Sequence, residues 1–251
     1  YLLFQFSYFF LKLLIFWKKN ASMEEDKKSL QGIFVSQTHW DREWYLTFEE
    51  FRKWLVKLID DLIENLPKNP DYKSFMLDGQ VLPIEDYLEM RPENEDKFRS
   101  LVQQERIVIG PFYILADEFG ESGEGMIRNL LLGHKISEKF GKPMKVGYVA
   151  DTFGHIWQMP QILNGFGISS MYFYRGYPPL FGNHEEYKGK NDKTPVQFYL
   201  QAPDGSKVLT FHDISGYSNS GGITEMESNF PGMFPYINGV QRILDVMNDV
   251  K

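Results

Sequence analysis

At 251 residues the chain is long enough to bury a full core in one α/β domain. A formal net charge of −7 argues against a polyanion-binding surface, so no nucleic-acid partner is expected. Cysteine is absent, which excludes disulfides and leaves His, Asp and Glu to hold any metal. Aromatic residues make up 16% of the chain, a surplus that serves a packed core and a carbohydrate-binding surface equally well.

Residues 1–17 are almost wholly apolar and aromatic, with Lys12 in their middle and Lys18-Lys19 behind them. The run is short of the roughly 20 residues of a membrane span. It also lacks the basic start and small-residue cleavage site of a signal peptide. Residues 1–22 are therefore read as an extension outside the fold, with a native start near Met23, and 23–251 as the folded body. On that reading the location is cytoplasmic and no membrane is involved; a genuine anchor or export signal in 1–22 is the alternative.

From Gly32 onward, strand-like and helix-like segments alternate. Ile33–Ser36 reads as a buried strand. Thr47 and Glu50 form a capping box for a helix whose apolar face carries Phe48, Phe51, Leu55, Leu58, Ile59, Leu62 and Leu66. Pro67 and Pro70 stop it. Phe75–Leu77 is the second strand, 83–104 a second helical region, Ile107–Ile109 the third strand, and 123–140 a third helix closed by Gly141 and Pro143. Val146–Ala150 is the fourth strand, 159–165 a short helix and Ser170–Tyr174 a fifth strand. A loop rich in Pro, Gly and Asn follows Tyr177. Val196–Gln201 and Lys207–His212 flank Pro203-Asp204-Gly205 as a hairpin. Ser215–Gly222 is a loop, and a last helix is expected from Tyr236. This alternation predicts an α/β fold, a mainly parallel sheet or distorted β/α barrel built from successive βα units.

Right-handed crossovers place the C-terminal ends of parallel strands on one rim, where ligands bind in open sheets and barrels alike. The strand ends present His39 and Asp41, then Asp78 and Gln80, Asp117 and Glu118, Asp151 and His155, and finally Arg175. A lone His-x-Asp is an ordinary surface pair. His39 and Asp41 at a strand end, answered by Asp151 at another, are an imidazole and carboxylates of the kind that hold zinc. Trp40 between the pair and Trp44 just beyond it supply indole faces for a sugar or other apolar surface.

Several of these motifs together resemble the α-mannosidases of glycoside hydrolase family 38, in their bacterial branch. They are His39-Trp40-Asp41-Arg42-Glu43-Trp44, Phe75-Met76-Leu77-Asp78-Gly79-Gln80 with Glu85-Asp86-Tyr87-Leu88, Gly110-Pro111-Phe112-Tyr113, and Ala150-Asp151-Thr152-Phe153-Gly154-His155. The resemblance runs from about residue 32 to the end. It implies a Zn2+ ion held by His39, Asp41 and Asp151, with Asp151 also the catalytic nucleophile of a retaining hydrolase. It further implies that Trp44 stacks beneath the sugar, Phe153 lines its subsite, Arg175 sits beside the nucleophile and Tyr217 touches the substrate. The implied partner is an α-mannoside or mannose-containing oligosaccharide, with oligomerisation left open. The family's general acid and fourth ligand are expected beyond Lys251, which makes 23–251 the N-terminal part of a catalytic domain, inactive alone. Among the other histidines, His134 reads as a structural residue within a helix, while His184 in a loop and His212 at a strand end read as structural or solvated. His155 belongs to the motif but is not a ligand in the family.

The chemistry is coherent on its own terms. A retaining glycosidase needs two carboxyl groups about 5–5.5 Å apart, one attacking the anomeric carbon and one protonating the leaving oxygen. Two other readings stay open at this point. One is another zinc-dependent polysaccharide hydrolase such as a deacetylase, which would need a His-x-x-x-His pair that this sequence lacks. The other is a non-catalytic carbohydrate-binding fragment using Trp40 and Trp44, for which Asp151 would have no purpose.

Overall fold

The structure, a computed structural model, describes residues 10–16, 31–176, 196–213 and 217. The expected loop after Tyr177, His184 within it and the helix from Tyr236 lie outside the described residues.

Two four-stranded sheets form the centre. In the first, β1 (Phe10–Phe16), β2 (Gln31–Thr38), β3 (Phe75–Leu77) and β4 (Ile107–Val108) lie side by side in chain order. β2, β3 and β4 are parallel, with Ser36 opposite Phe75 and Phe75 opposite Ile107. The second sheet contains β5 (Gly147–Val149), β6 (Ser170–Phe173), β7 (Gln197–Gln201) and β8 (Lys207–His212) in the order β5-β6-β8-β7. There β5, β6 and β8 are parallel, and β7 returns antiparallel as the expected hairpin. A parallel bridge between Ile109 and Pro143 links the end of β4 to the approach to β5. The predicted run of βα units with parallel strands is what the chain adopts.

β1 departs from the sequence reading, which left 1–22 outside the fold. Phe10–Phe16 pairs antiparallel with β2 along its whole length. The physical reason is that β2 would otherwise present an open row of backbone donors and acceptors at the sheet edge.

Helix α1 (Phe48–Asn65) follows β2 and begins at the predicted capping box: the Thr47 backbone N–H donates to Glu50 Oε2 at 3.1 Å and its hydroxyl to the same oxygen at 2.8 Å. Its apolar face buries Phe51, Leu55, Leu58, Ile59 and Leu62, with Leu66 beyond the last turn. Each such side chain contributes about 1.5–3 kcal/mol by leaving water. The loop after α1 is gathered by Arg106, whose Nη2 reaches the carbonyls of Leu66 at 2.7 Å, Asn69 at 3.0 Å and Tyr72 at 2.7 Å, while Nε donates to that of Lys73 at 2.8 Å.

The helical region expected over 83–104 is divided. Helix α2 (Leu82–Met90) stops, a 3-10 turn covers Pro92–Asn94, and α3 (Glu95–Gln103) resumes. Pro92 causes the break, because the residue before a proline avoids the helical region. Arg91 accordingly has φ −138° and ψ 56°. Helix α4 (Gly123–Phe140) matches its predicted bounds and is capped by Ser122 Oγ, which accepts from Gly125 N at 3.0 Å. Midway along α4, Gly133 lies against the Pro111–Tyr113 backbone; a Cβ there would fall 2.2 Å from the Pro111 carbonyl oxygen. Helix α5 (Met159–Gly165) closes the βα series before β6.

Candidate active site

β2 delivers His39 and Trp40 to the rim, and β3 delivers Asp78 beside them. Asp78 is fully buried and takes a left-handed backbone, φ 43°, followed by Gly79 at φ 67°. That turn carries its carboxylate back across the strand ends. Asp78 Oδ1 lies 3.1 Å from His39 Nδ1, while Oδ2 accepts from the Trp40 N–H at 2.6 Å and from Gln80 Nε2 at 2.9 Å. A buried carboxylate only accepts, so His39 Nδ1 carries a proton and faces inward, while Nε2, which offers a lone pair once its own proton leaves, faces outward. This is the usual backing of a metal-ligating histidine.

On its outer side His39 Nε2 is 3.6 Å from Asp41 Oδ1 and 3.5 Å from Asp151 Oδ2, and it is buried without a hydrogen-bond partner. In a tetrahedral zinc site with bonds of about 2.0–2.2 Å, neighbouring donor atoms are about 3.3–3.6 Å apart. By strict geometry no group of three or more His, Asp and Glu among the described residues is a metal site as it stands. The spacing of Asp41 and Asp151 about Nε2 is nevertheless close to that of neighbouring donors, and both carboxylates are exposed enough to turn towards a common ion. Burial opposes a charge on His39, yet Asp78, Asp151 and Asp41 outweigh it and hold its pKa well above the ordinary imidazole value. Three carboxylates around one imidazole make this a cation-seeking pocket, and these residues fit the implied metal.

β5 runs straight into Asp151. Burial pushes its pKa up, but His39 and Arg175 win and hold it below the usual carboxylate range. Arg175, just past β6, places Nη2 2.5 Å from Asp151 Oδ1 and Nε 3.4 Å from the Asp151 carbonyl, with its guanidinium 4.1 Å from the centre of the Phe153 ring. The Tyr217 ring lies 4.7 Å from that of His39, and burial pushes its hydroxyl up to about 12.

An acidic stretch between β4 and α4 is stapled to the Asp151 loop. Asp117 Oδ1 accepts from Phe153 N at 3.2 Å, Glu118 Oε1 meets His155 Nδ1 at 2.8 Å, and Glu118 Oε2 accepts from Ile156 N at 2.8 Å. The Phe119 ring sits on Gly154, where any Cβ would fall inside it.

An open cleft of about 410 Å³ lies over these groups, its wall including His39, Asp41, Arg42, Asp117, Asp151 and Phe153. That volume suits a small ligand. The structure thus brings His39, Asp41, Asp151 and Phe153 into one cleft, with Arg175 and Tyr217 directly behind them. Trp44 is not part of that wall; it is 61% exposed and packs edge-on to Tyr45. Asp78 and Glu118 were visible in the sequence only as strand-end acids, and their partners emerge from the register of distant strands. The remaining described histidines contact carbonyl oxygens, His134 Nδ1 that of Leu130 at 2.9 Å and His212 Nε2 that of Tyr174 at 3.1 Å.

Residues 29–242 match the model of the glycosyl hydrolases family 38 N-terminal domain. The chain belongs to this family. It is 44% identical over 186 residues to the "Putative mannosylglycerate hydrolase" of Halalkalibacterium halodurans, covering 74% of this chain and 21% of that protein. It is 30% identical over 189 residues to alpha-mannosidase F of Dictyostelium discoideum, covering 73% of this chain and 19% of the relative. The crystal structure of an alpha-mannosidase from Enterococcus faecalis V583 aligns with a TM-score of 0.69 at 31% identity, over 86% of this chain and 23% of that one. The chain spans about a fifth of the length of these curated relatives.

Proposed function

We propose that this chain carries the metal-binding and nucleophile half of a zinc-dependent, retaining α-mannosidase that hydrolyses terminal α-mannosidic bonds. The observation that carries the reading is the convergence of Asp41 and Asp151 on the partnerless Nε2 of His39 at the floor of a sugar-sized cleft. Relatives named as alpha-mannosidases and a mannosylglycerate hydrolase support mannose-containing glycosides as the substrates.

His39, Asp41 and Asp151 would hold the zinc. When bound, the ion would supply a Lewis acid for neighbouring sugar hydroxyls and a positive charge that keeps adjacent carboxylates ionised. Asp151 is the nucleophile: its depressed pKa keeps it ionised near neutral pH, and Arg175 fixes its Oδ1. It attacks the anomeric carbon as the glycosidic bond breaks, giving a glycosyl-enzyme ester that water then hydrolyses with net retention. Phe153 offers a ring face at the cleft wall, and Tyr217 backs His39 from the other side. A second carboxyl must protonate the leaving oxygen, and we assign that role to none of the described residues.

The test uses the full-length enzyme with an aryl α-mannoside, following product stereochemistry by NMR beside zinc content by elemental analysis. Release of the α-anomer by a protein holding about one zinc per chain is expected. First-formed β-anomer would exclude retention, and absence of hydrolysis by zinc-loaded protein would overturn the assignment.

A further inference from the structure

His155 ends the Asp151 loop, is almost wholly buried, and faces an oxygen at both ring nitrogens. Nδ1 meets Glu118 Oε1 at 2.8 Å, and Nε2 meets the Arg175 backbone carbonyl at 2.8 Å. A backbone carbonyl only accepts, so Nε2 bears a proton and donates it to Arg175. Glu118 is itself buried and held on its second oxygen by the Ile156 N–H, so it cannot turn away. The residue after Arg175 is pinned as well. Gly176 has φ 93°, and a Cβ there would come within 2.7 Å of the Thr152 carbonyl oxygen and 2.8 Å of Gly154 N. The Arg175 main chain is therefore clamped onto the 152–155 loop at two adjacent points, and its side chain reaches back to Asp151.

We propose that Glu118 and His155 are positioning residues for the nucleophile: the chain Glu118–His155–Arg175 carbonyl sets the Arg175 backbone so that its guanidinium holds the Asp151 carboxylate in one orientation. This rests on the assignment of Asp151 as nucleophile. Neither residue touches the cleft. Their effect passes through Arg175, and a carboxylate free to rotate would spend less time aligned for attack.

Two amide replacements separate positioning from mere packing. In His155→Gln the side-chain amide lies near Nε2 and keeps the donor to Arg175. In His155→Asn it lies near Nδ1, keeping the bond to Glu118 and losing the one to Arg175. Both would be made in the full-length enzyme, alone and with Arg175→Met, and assayed on an aryl α-mannoside alongside crystal structures of the two single variants. His155→Asn is expected to lower kcat about tenfold or more with KM within about twofold, and to cost less than about twofold once Arg175 is already Met. His155→Gln keeps the donor to Arg175 but loses the Glu118 anchor behind it, so its kcat is expected to fall by about threefold, clearly less than in His155→Asn. In the crystals, Arg175 should leave Asp151 in the Asn variant and remain in the Gln variant.

Equal losses for Asn and Gln, equal losses with and without Arg175, or an unmoved Arg175 in the Asn variant would each overturn the proposal. Should the Asn variant fail to fold, Glu118→Gln, which keeps the side-chain shape, is read in the same way through kcat and the Arg175–Asp151 contact. A wild-type enzyme without mannosidase activity would sink the functional assignment alone, since the crystal structures still decide whether His155 positions Arg175.

Discussion

Replacing the Asp78 carboxylate with an amide, Asp78→Asn, weakens the acceptor that orients His39 while leaving every proposed ligand in place. Zinc affinity should fall by about 10–100-fold, measured by competition with a chelating indicator. An unchanged affinity would mean that the backbone alone orients the ring. Asp151→Ala should abolish hydrolysis and lower zinc content together, because one carboxylate serves both roles; retention of full zinc would sink the dual role. For Trp44→Ala the expectation is different. The side chain is exposed and outside the cleft wall, so stability should change by no more than about 0.5 kcal/mol. If Trp44 closes over a bound sugar, turnover falls while zinc content stays; loss of zinc would exclude a stacking role.

Helices with a strong apolar face were legible in the sequence almost residue by residue. Of the stripe predicted for α1, Phe51 to Leu66 is buried as expected, while Phe48 at its start is only half-buried beneath the Arg42 and Arg52 guanidinium groups, and α4 keeps its predicted bounds because Ser122 and Gly141 punctuate it at both ends. The break at Pro92 was not foreseen, since the amphipathic pattern continues across it and only the restriction on Arg91 interrupts the backbone. At the site, His39, Asp41 and Asp151 were legible as residues following apolar runs, and Phe153 only through the family resemblance. The layer beneath was not: Asp78 meets His39, and Glu118 meets His155, only once distant βα units settle into register. Gly133 was equally silent. Gly133→Ala would drive a methyl into the Pro111–Tyr113 backbone and should destabilise the fold by about 1–3 kcal/mol in urea denaturation, despite the better helix propensity of alanine. A neutral result would show that α4 can lift away from that backbone without loss.

Viewed whole, the proposed ligands come from two sheets, His39 and Asp41 after β2 and Asp151 after β5. A bound ion would therefore fasten one sheet's rim to the other. Chelation should lower the thermal midpoint of the full-length enzyme, by the equivalent of about 4 kcal/mol if zinc is present at a thousand times its Kd, and should barely move that of Asp151→Ala. Equal midpoints with and without chelator in the wild type would argue that the rim is rigid without a metal. Elsewhere the molecule uses a single side chain for a similar purpose. Lys68-Asn69-Pro70-Asp71 has the composition of a surface linker, an obvious point to nick or to graft a tag. Its neighbouring carbonyls, however, converge on Arg106 from the opposite end of a βα unit. A protease would have to dislodge the start of β4 to draw this loop into its active site, so limited digestion should spare it, and an inserted peptide here would disturb the first sheet instead of riding outside it.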